Sequence, residues 1–577
     1  MPRIRSVLYK IVLGYGQCGG LWGVDLWRNR PEAVGGKPMW CTTAMTIDRW
    51  ASRRWSIRWG LPFALFWSLC AAQQLCAAPS EEAPNVVDPS LAGRPWAALW
   101  ISSLGRVLAA CDLVYDSVDR PDLAESLEER LGNFRSFGGI DRKRPLGILW
   151  TWSDTEPIAT VFLPVAQIDE LMKTATFDVV EFRRVANDRF EIDRPGSPYH
   201  VLLRSGYALL GDDPTAMQAL RESPDQMTES LQAKYDLVFN LDMRQMPRLA
   251  KERWIENLKT QIEPWLQPQD RETIETATIR RTFGVAVLTL ANRVILDVRR
   301  LTIGCRIDAE KRQISLELIV LGEPGTTMAS ELNQVVLKKH QFSSLVQSPA
   351  MLGVAFNWPL QSLFQNRSRL LKEPPPSLRL NGGVQLVGNS WAEATLIAGL
   401  YGPEVAILTG TIPQLLVQLE KSGQGVVSNE TPAVHRDVVI RQIVAYKPPP
   451  LLSQFLGPRA EVLIGQAPQT MWLAVGDPSS LRMHLQQAID AVAGTAQDRR
   501  DDTLLQSRVV LGKLPLVGTL SEIDSATGSP SEPPAECQLS IEPIRNGLRA
   551  RAVTERDIFK RIGREWARQV DQLHPVK

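Results

Sequence analysis

The feature that most constrains the fold is a pair of alternating apolar runs between residues 301 and 320. The apolar positions are Leu301, Ile303, Cys305 and Ile307 in the first run and Ile314, Leu316, Leu318 and Val320 in the second. Alternation with a period of two on both sides of a polar turn predicts a β-hairpin that buries one face. After Gly325, apolar residues recur at helical spacing as far as residue 337. This stretch therefore predicts the order strand, strand, helix.

The same order is predicted near the C-terminus. Cys537, Leu539 and Ile541 alternate with polar residues, and Asn546-Gly547 is a tight-turn dipeptide that precedes a second alternating run. The helix predicted next has an apolar stripe made of Ile558, Ile562, Trp566 and Val570. Thr554, followed by Asp557 three positions later, suggests a cap at its start.

Four weaker copies of this unit are predicted at residues 145–175, 197–222, 392–421 and 460–494. A helix that follows a hairpin, rather than a parallel strand, is expected to lie on one face of the sheet. The sequence thus predicts an α+β fold of tandem repeated β-β-α units, which form antiparallel sheets with helices packed on one face. Duplication of a smaller ancestor is the predicted origin.

Two of the units share a Gly-Asp-Pro junction between their second strand and their helix. The junctions are Gly211-Asp212-Asp213-Pro214 and Gly476-Asp477-Pro478. An aspartate at this place accepts hydrogen bonds from the first free N–H groups of a helix, and proline in the first turn loses nothing by having no N–H. We interpret both aspartates as helix caps rather than as catalytic groups.

Other strands are predicted to lead into helices without a hairpin. They begin at Ala97, Leu237 and Gly353. The longest predicted helix, at residues 272–296, is apolar on nearly every side beyond its first turns and is expected to be buried between layers. The predicted domains are residues 79–232, 233–346 and 347–500, followed by a C-terminal unit at 501–577 with a flexible loop at 525–534.

The N-terminal region has the pattern of a secretory signal. Residues 45–59 carry four arginines and one acid, an uncharged apolar run follows at 60–72, and small residues end the segment near Ala78. We predict a signal peptide at residues 45–78 and a non-native, disordered extension at 1–44. The predicted location is the periplasm or the extracellular space. The alternative is an uncleaved anchor, which is the one case in which membrane contact is expected.

The charge of the exported part argues against nucleic acid as a partner. Residues 1–78 hold ten of the 65 basic and three of the 63 acidic residues. Residues 79–577 therefore carry 55 basic and 60 acidic residues, a net charge of −5. Phosphate backbones need a basic stripe, and none is present. Cysteines in this part are Cys111, Cys305 and Cys537, so they form no disulfide framework. Cys305 and Cys537 are predicted on the inward face of their strands, as small apolar side chains.

The repeated units behind a signal peptide, the Gly-Asp-Pro junctions and the terminal Asn-Gly hairpin resemble a group of uncharacterised exported proteins common in planctomycete bacteria. The resemblance covers most of residues 95–577. It implies an exported protein with repeated strand-strand-helix units. It implies no catalytic residue, because that group has no established activity.

Residues typical of several reaction classes are missing from the sequence. Histidines stand singly and without metal-ligand spacing, at positions His200, His340, His435, His484 and His574. The nearest approach to a nucleophile turn, Gly388-Asn389-Ser390-Trp391-Ala392, lacks its final glycine. No phosphate-binding or dinucleotide-binding glycine motif occurs. The sequence predicts no catalytic residue, no metal site and no cofactor.

Trp150 and Trp152 are the candidate ligand-binding residues, because they share one face of a predicted strand. If exposed, they form a platform on which a sugar ring or an apolar ligand stacks, and if buried they are core. The expected function is non-enzymatic binding or scaffolding in the cell envelope, with an envelope protein, a glycan or an apolar ligand as partner. The alternatives are a periplasmic carrier of a lipid or other apolar ligand, and a carboxylate-dependent hydrolase.

Overall fold

The structure is a computed structural model of the 577-residue chain. It describes residues 93–120, 122–123, 138–152, 157–175, 182–192, 198–267, 274–333, 341–347, 350–359, 379–388, 394–402, 405, 426–427, 432–444, 461–494, 503–510, 536–555 and 558–573. The predicted signal peptide, the extension before it, the Gly388–Ala392 turn beyond its first residue, the loop at 525–534 and most of the unit predicted at 392–421 lie outside these residues.

The described strands are numbered in chain order. They are β1 (Ala97–Ile101), β2 (Leu146–Trp152), β3 (Pro157–Pro164), β4 (Phe182–Ala186), β5 (Arg189–Ile192), β6 (Tyr199–Arg204), β7 (Tyr207–Gly211), β8 (Leu237–Asp242), β9 (Val298–Asp308), β10 (Gln313–Gly322), β11 (Leu352–Pro359), β12 (Arg379–Val387), β13 (Thr395–Tyr401), β14 (Val426–Val427), β15 (Ala433–His435), β16 (Val438–Val444), β17 (Glu461–Ala467), β18 (Thr470–Gly476), β19 (Leu505–Val510), β20 (Glu536–Ile544) and β21 (Gly547–Glu555).

The described helices are numbered in the same way. They are α1 (Leu104–Asp116), α2 (Ile168–Ala175), α3 (Pro214–Ala219), α4 (Pro224–Gln232), α5 (Arg248–Leu266), α6 (Ile274–Asp297), α7 (Thr327–Asn333), α8 (Ser343–Gln347), α9 (Pro478–Gly494) and α10 (Ile558–Leu573). A short 3-10 turn, Met243–Gln245, separates β8 from α5. Helix α5 follows β8, where the sequence predicts a strand that leads into a helix, and it is rich in charged residues.

Residue contacts divide the chain into two compact units. Unit 1 comprises Met1–Leu296 together with Phe559–Lys577, and unit 2 comprises Asp297–Ile558. The described strands pair antiparallel throughout, so the protein has the predicted α+β character with a large antiparallel sheet. In unit 1 the strands lie in the order β8-β1-β2-β3-β7-β6-β5-β4.

The sheet of unit 2 contains the same strand order within a longer one. Its described strands lie in the order β9-β10-β21-β20-β19-β11-β12-β13-β18-β17-β16, and β14 and β15 both pair with β16. The run from β19 to β16 matches the run from β8 to β5 strand for strand. In each of these two matching runs, a late strand, β8 or β19, returns to pair with the run's first strand in chain order, β1 or β11.

This return explains why the units do not follow the predicted domain boundaries. Strand β8 lies beyond residue 232, where the first predicted domain ends, yet it pairs with β1 along its whole length. Strand β19 lies beyond residue 500 and pairs with β11. Alternation reveals a strand, but it does not reveal the strand's partner, and the partner decides to which unit the strand belongs.

The hairpins predicted most strongly have the expected elements. Strands β9 and β10 pair as a hairpin and α7 follows them, and strands β20 and β21 pair as a hairpin and α10 follows them. The turn of the second hairpin has Asn546 at a φ of 59°, the left-handed conformation that this residue tolerates. A Cβ on Gly547 would lie 2.3 Å from the carbonyl oxygen of Val320, so no larger residue fits there.

Both Gly-Asp-Pro junctions contain the predicted caps. The Asp213 carboxylate accepts hydrogen bonds from the N–H groups of Thr215 at 2.7 Å and Ala216 at 3.2 Å. The Asp477 carboxylate accepts from the N–H of Ser479 at 2.8 Å. Hydrogen bonds from the Ser479 hydroxyl and N–H hold the pKa of Asp477 below its usual value. These aspartates begin helices, as their position before proline predicts.

The helices of unit 1 cover both faces of its sheet, so the prediction of one covered face is wrong for this unit. On one face, Leu108 of α1 and Leu171 of α2 pack against side chains such as Val201. On the other face, Met217 of α3 packs against side chains such as Phe162. The physical reason is that the strands are apolar on both sides. On β7, for example, Ala208 and Leu210 belong to the first cluster, whereas Tyr207 and Leu209 belong to the second.

Unit 2 builds its core on glycines that let aromatic rings approach the sheet. Phe342 and Trp472 are in edge-to-face contact, with ring centroids 5.5 Å apart. A Cβ on Gly399 would lie 2.4 Å from Cε1 of Phe342, and one on Gly383 would lie 2.6 Å from its Cβ. Leu481 and three further buried residues of α9 complete this cluster. The rings therefore occupy space that any other residue at these strand positions would fill.

The last helix of the chain packs against the first helix of unit 1. A Cβ on Gly563 of α10 would lie 2.7 Å from Cγ1 of Val118 and 2.8 Å from the carbonyl oxygen of Val114. Phe559 and Ala567 of α10 are buried, whereas Ile562, which belongs to the predicted stripe, is exposed. The buried stripe is shifted by one position because the contact uses a small residue for close approach rather than the largest apolar side chains.

Candidate functional site

Three tryptophans of unit 1 form an aromatic cluster at one end of the sheet. Trp96 precedes β1, Trp152 ends β2, and Trp254 lies on α5. The rings of Trp96 and Trp152 have centroids 5.9 Å apart and an interplanar angle of 31°. Those of Trp96 and Trp254 are 5.5 Å apart and nearly perpendicular, at 77°. Both distances are in the range of favourable aromatic contacts.

The backbone fixes Trp96 between two strands. Its N–H donates to the carbonyl of Trp150 at 2.9 Å, and its carbonyl accepts from the N–H of Asp242 at 2.7 Å. Trp96 is therefore 4 % exposed, whereas Trp152 and Trp254 are partly exposed. The cluster thus has a rigid buried member and two members that reach the surface.

The indole nitrogens of this cluster have no hydrogen-bond acceptor among the described residues. Nε1 of Trp96, Trp152 and Trp254 is shielded from solvent in each case and finds no partner in the part of the chain that the structure describes. A buried donor without an acceptor costs about 1–3 kcal/mol, so such groups are rare unless something else satisfies them. Three such donors lie together in this ring cluster, and acceptor oxygens placed at their edges would satisfy them.

Three further polar atoms of unit 1 are also buried without a hydrogen-bond partner among the described residues. The hydroxyls of Thr151 on β2 and Thr160 on β3 are buried and unpaired within the described residues, as is Oε1 of Gln245. Thr160 pairs with Leu149 in the register of β2 and β3, two positions from Thr151, so the two threonines lie on the same face. Trp152 is the next residue after Thr151 and points to the opposite face. Thr151 and Thr160 are 2 % and 1 % exposed.

The sequence identified part of this cluster. Trp152 belongs to it, but Trp150 is 8 % exposed and so does not form an open platform with Trp152. Trp96 and Trp254 were not predicted. Trp96 lies directly before β1, and an aromatic residue at this position predicts only the start of a strand. Trp254 lies in a helix with many charged residues, and its sequence shows no clear apolar stripe.

A second polar cluster in unit 1 is structural. The guanidinium of Arg144 contacts the Asp225 carboxylate at 2.5 Å and lies 4.2 Å over the ring of Tyr207, whose hydroxyl donates to the same carboxylate. Arg144 also donates to the carbonyls of Ser205 and Gly206. Burial raises the pKa of Asp225, but hydrogen bonds from Arg144 and Tyr207 outweigh it and hold that pKa below its usual value. With its donors used internally, this cluster fastens the β6–β7 turn to α4.

Two of the described histidines contact a polar side chain. His435 contacts Asp490, and His484 contacts the hydroxyl of Thr395 at 2.9 Å. Burial lowers the pKa of His484 and raises that of Cys537. Cys111, Cys305 and Cys537 are partly buried, and none of them forms a disulfide with another described residue. Among the described residues, no group of three or more His, Cys, Asp or Glu is arranged to hold a metal ion.

Two further observations concern the chain as a whole. None of the described helices has the length and apolar character needed to cross a membrane. The chain matches no family model, no curated protein and no solved structure.

Proposed function

We propose that this chain is an exported, non-enzymatic binding protein of the cell envelope, and that its ligand binds at the cluster of Trp96, Trp152 and Trp254. The observation that carries the proposal is the set of three shielded indole N–H groups that find no acceptor in the described part of the chain. A ligand that supplies acceptors removes their desolvation penalty, and the exposed parts of Trp152 and Trp254 offer it aromatic surface.

The three carboxylates with lowered pKa values are not candidates for the protonated acid of a hydrolase. The pKa values of Asp122, Asp225 and Asp477 all lie below the usual value, chiefly because arginine or serine side chains donate hydrogen bonds to them. A hydrolase of the carboxylate type needs one acid whose pKa is raised, so that it carries a proton at neutral pH. These three groups favour the opposite state.

We also propose that the two units are copies of one module built from strand-strand-helix repeats. The matching strand orders support this, as do the two capped Gly-Asp-Pro junctions at the same place in both sheets. Duplication supplies a scaffold twice, and only one copy then has to keep a binding function. Export is proposed on the leader sequence alone.

A carrier of an apolar ligand is the second candidate. Helix α6 is long and carries the exposed apolar side chains Val285 and Leu296. Apolar side chains exposed singly are common on protein surfaces, so this observation is weaker than the unpaired donors.

Native mass spectrometry of the full chain, purified without detergent from an exporting bacterial host, tests the binding function. The expected result is a non-covalent adduct of one small molecule per chain. The variant W152F/W254F keeps the aromatic rings but removes two N–H donors, and we expect it to lose most of the adduct. If wild type and variant carry no adduct under any gentle condition, or carry it equally, the proposed function is wrong.

A further inference from the structure

The histidine of helix α9 faces a different kind of group from the other described histidines. Nε2 of His435 lies 2.9 Å from the Asp490 carboxylate, and His200 likewise lies beside a carboxylate. His484 instead faces a neutral group, because its Nδ1 lies 2.9 Å from the Thr395 hydroxyl. A histidine charges near neutral pH, so the neighbour of its ring decides whether the charged form is tolerated.

The contact between His484 and Thr395 is built into the packing of unit 2. Thr395 begins β13 and is 0 % exposed. A Cβ on Gly476 would lie 2.9 Å from the Thr395 hydroxyl oxygen, so the glycine leaves room for this contact. Nδ1 of His484 is the one hydrogen-bond partner of the hydroxyl among the described residues. The hydroxyl proton therefore needs Nδ1 as its acceptor, which places the proton of the neutral ring on Nε2.

Protonation of His484 reverses this hydrogen bond. An imidazolium ring has a proton on both nitrogens and only donates. Nδ1 then no longer accepts from Thr395, and the buried hydroxyl proton has no other acceptor in the described part of unit 2. A buried donor without an acceptor is destabilising. Burial of the ring also opposes its charge and lowers the pKa of His484.

The elements around α9 place no carboxylate against this ring. The elements packed most closely on α9 are α8, β13, β17 and β18, and their ionisable residues are Glu461 and Tyr401. Glu461 accepts a hydrogen bond from the side-chain amide of Gln442, and Tyr401 lies at the far end of β13. On α9 itself, Arg482 donates to Gln442, and Asp490 is the partner of the other histidine. The described groups thus leave the charged form of the ring without an ion-pair partner.

We propose that unit 2 contains an acid-sensitive latch, in which protonation of His484 releases helix α9 from the sheet. Helix α9 contributes Leu481, Leu485 and Ile489 to the core of unit 2, so its release exposes apolar side chains. Because the pKa of His484 is below its ordinary value of 6.5 in the packed state, the released state binds the proton more readily. The latch therefore holds fully above pH 6.5 and weakens as the pH falls below that value.

Unit 1 offers an internal comparison that lacks the latch. Counted from the proline of each Gly-Asp-Pro junction, the residue that corresponds to His484 is Leu220. Leu220 is buried in an apolar cluster of unit 1. Since leucine does not titrate, mild acid is expected to act on α9 and to spare α3 and α4.

Hydrogen exchange of the full chain at about pH 7.5 and about pH 5, on either side of the ordinary histidine pKa, tests the proposal. Exchange times are scaled for the pH dependence of the intrinsic rate. We expect the protection of α9 peptides to fall about fivefold or more at the lower pH, and that of α3 and α4 peptides to stay unchanged. His484→Gln keeps an acceptor for Thr395 but cannot be charged, so its α9 protection should be equal at both pH values. His435→Gln, the matched control at the other histidine that contacts α9, should keep the fall.

Two results would overturn the latch. One is equal α9 protection at both pH values in the unsubstituted chain, and the other is a fall that persists in His484→Gln. If His484→Gln does not fold, a proton NMR titration of the histidines in the unsubstituted chain decides the question. A pKa of His484 at or above 6.5 would contradict the latch, and a pKa below 6.5 together with the loss of α9 protection would support it.

Discussion

Replacing Trp472 by alanine is expected to destabilise unit 2 by about 3–5 kcal/mol, because the substitution removes the largest side chain of its core. Trp472 is 2 % exposed. Its ring contacts Phe342 edge to face, and Phe342 in turn fills the space over Gly399. The cavity cannot close easily, since the strands below it are held in register by hydrogen bonds. The measurement is hydrogen exchange by mass spectrometry, in which peptides from β13, β17 and β18 lose protection.

Leu473→Ala is the matched control for this substitution. Leu473 is the next residue of β18, points to the opposite face of the sheet and is 36 % exposed. We expect a cost of about 1 kcal/mol or less. Equal losses of protection for the two variants would contradict the description of this core, because that description places the packing on one side of β18 at this point.

Replacing Gly563 by leucine is expected to destabilise unit 1 by about 3 kcal/mol, because the side chain enters a helix contact that has no room for a Cβ. The nearest atom besides the Val118 methyl is the backbone oxygen of Val114, which cannot rotate away. Helices α1 and α10 must therefore separate. The exposed ion pair of Arg120 and Asp571, at 2.9 Å, joins the same helices but contributes at most about 1 kcal/mol.

Ile562→Ala is the control for Gly563→Leu. It changes the neighbouring residue of α10, which is exposed, and is expected to alter stability by about 0.5 kcal/mol or less. Urea unfolding followed by hydrogen exchange in α1 and α10 distinguishes the variants. If Ile562→Ala were the more damaging change, the helix would have to be rotated to the stripe predicted from its largest apolar residues.

Local order was predictable from the sequence because its physical signals are local. Alternation at Leu301–Val320 sets a hairpin whatever surrounds it, and aspartate before proline caps a helix through contacts two or three residues away. The same holds for the Asn546-Gly547 turn, where the residue types select the conformation. These features need no knowledge of the rest of the chain.

Strand partners and covered faces were not predictable, because distant residues determine them. The sequence of Leu237–Asp242 does not indicate that β1 is its partner, although that pairing completes the sheet of unit 1. In the structure, β7 has apolar residues on both faces because two layers cover it. Its sequence does not reveal this, since consecutive apolar residues also occur in central strands that only one layer covers. Of the tryptophan cluster, only Trp152 lay in a recognisable pattern. Trp96 and Trp254 reach it through tertiary packing.

The central claim is that the indole N–H groups of Trp96, Trp152 and Trp254 lack acceptors in the free protein and gain them from a ligand. Proton–nitrogen NMR of the full chain with ¹⁵N-labelled tryptophan observes these groups directly, and single Trp→Phe variants assign them. On addition of the small molecule identified as the native adduct, we predict downfield shifts of the three N–H resonances and no shift for Trp472. Three unmoved resonances while calorimetry reports binding, or an equal shift at Trp472, would contradict the account.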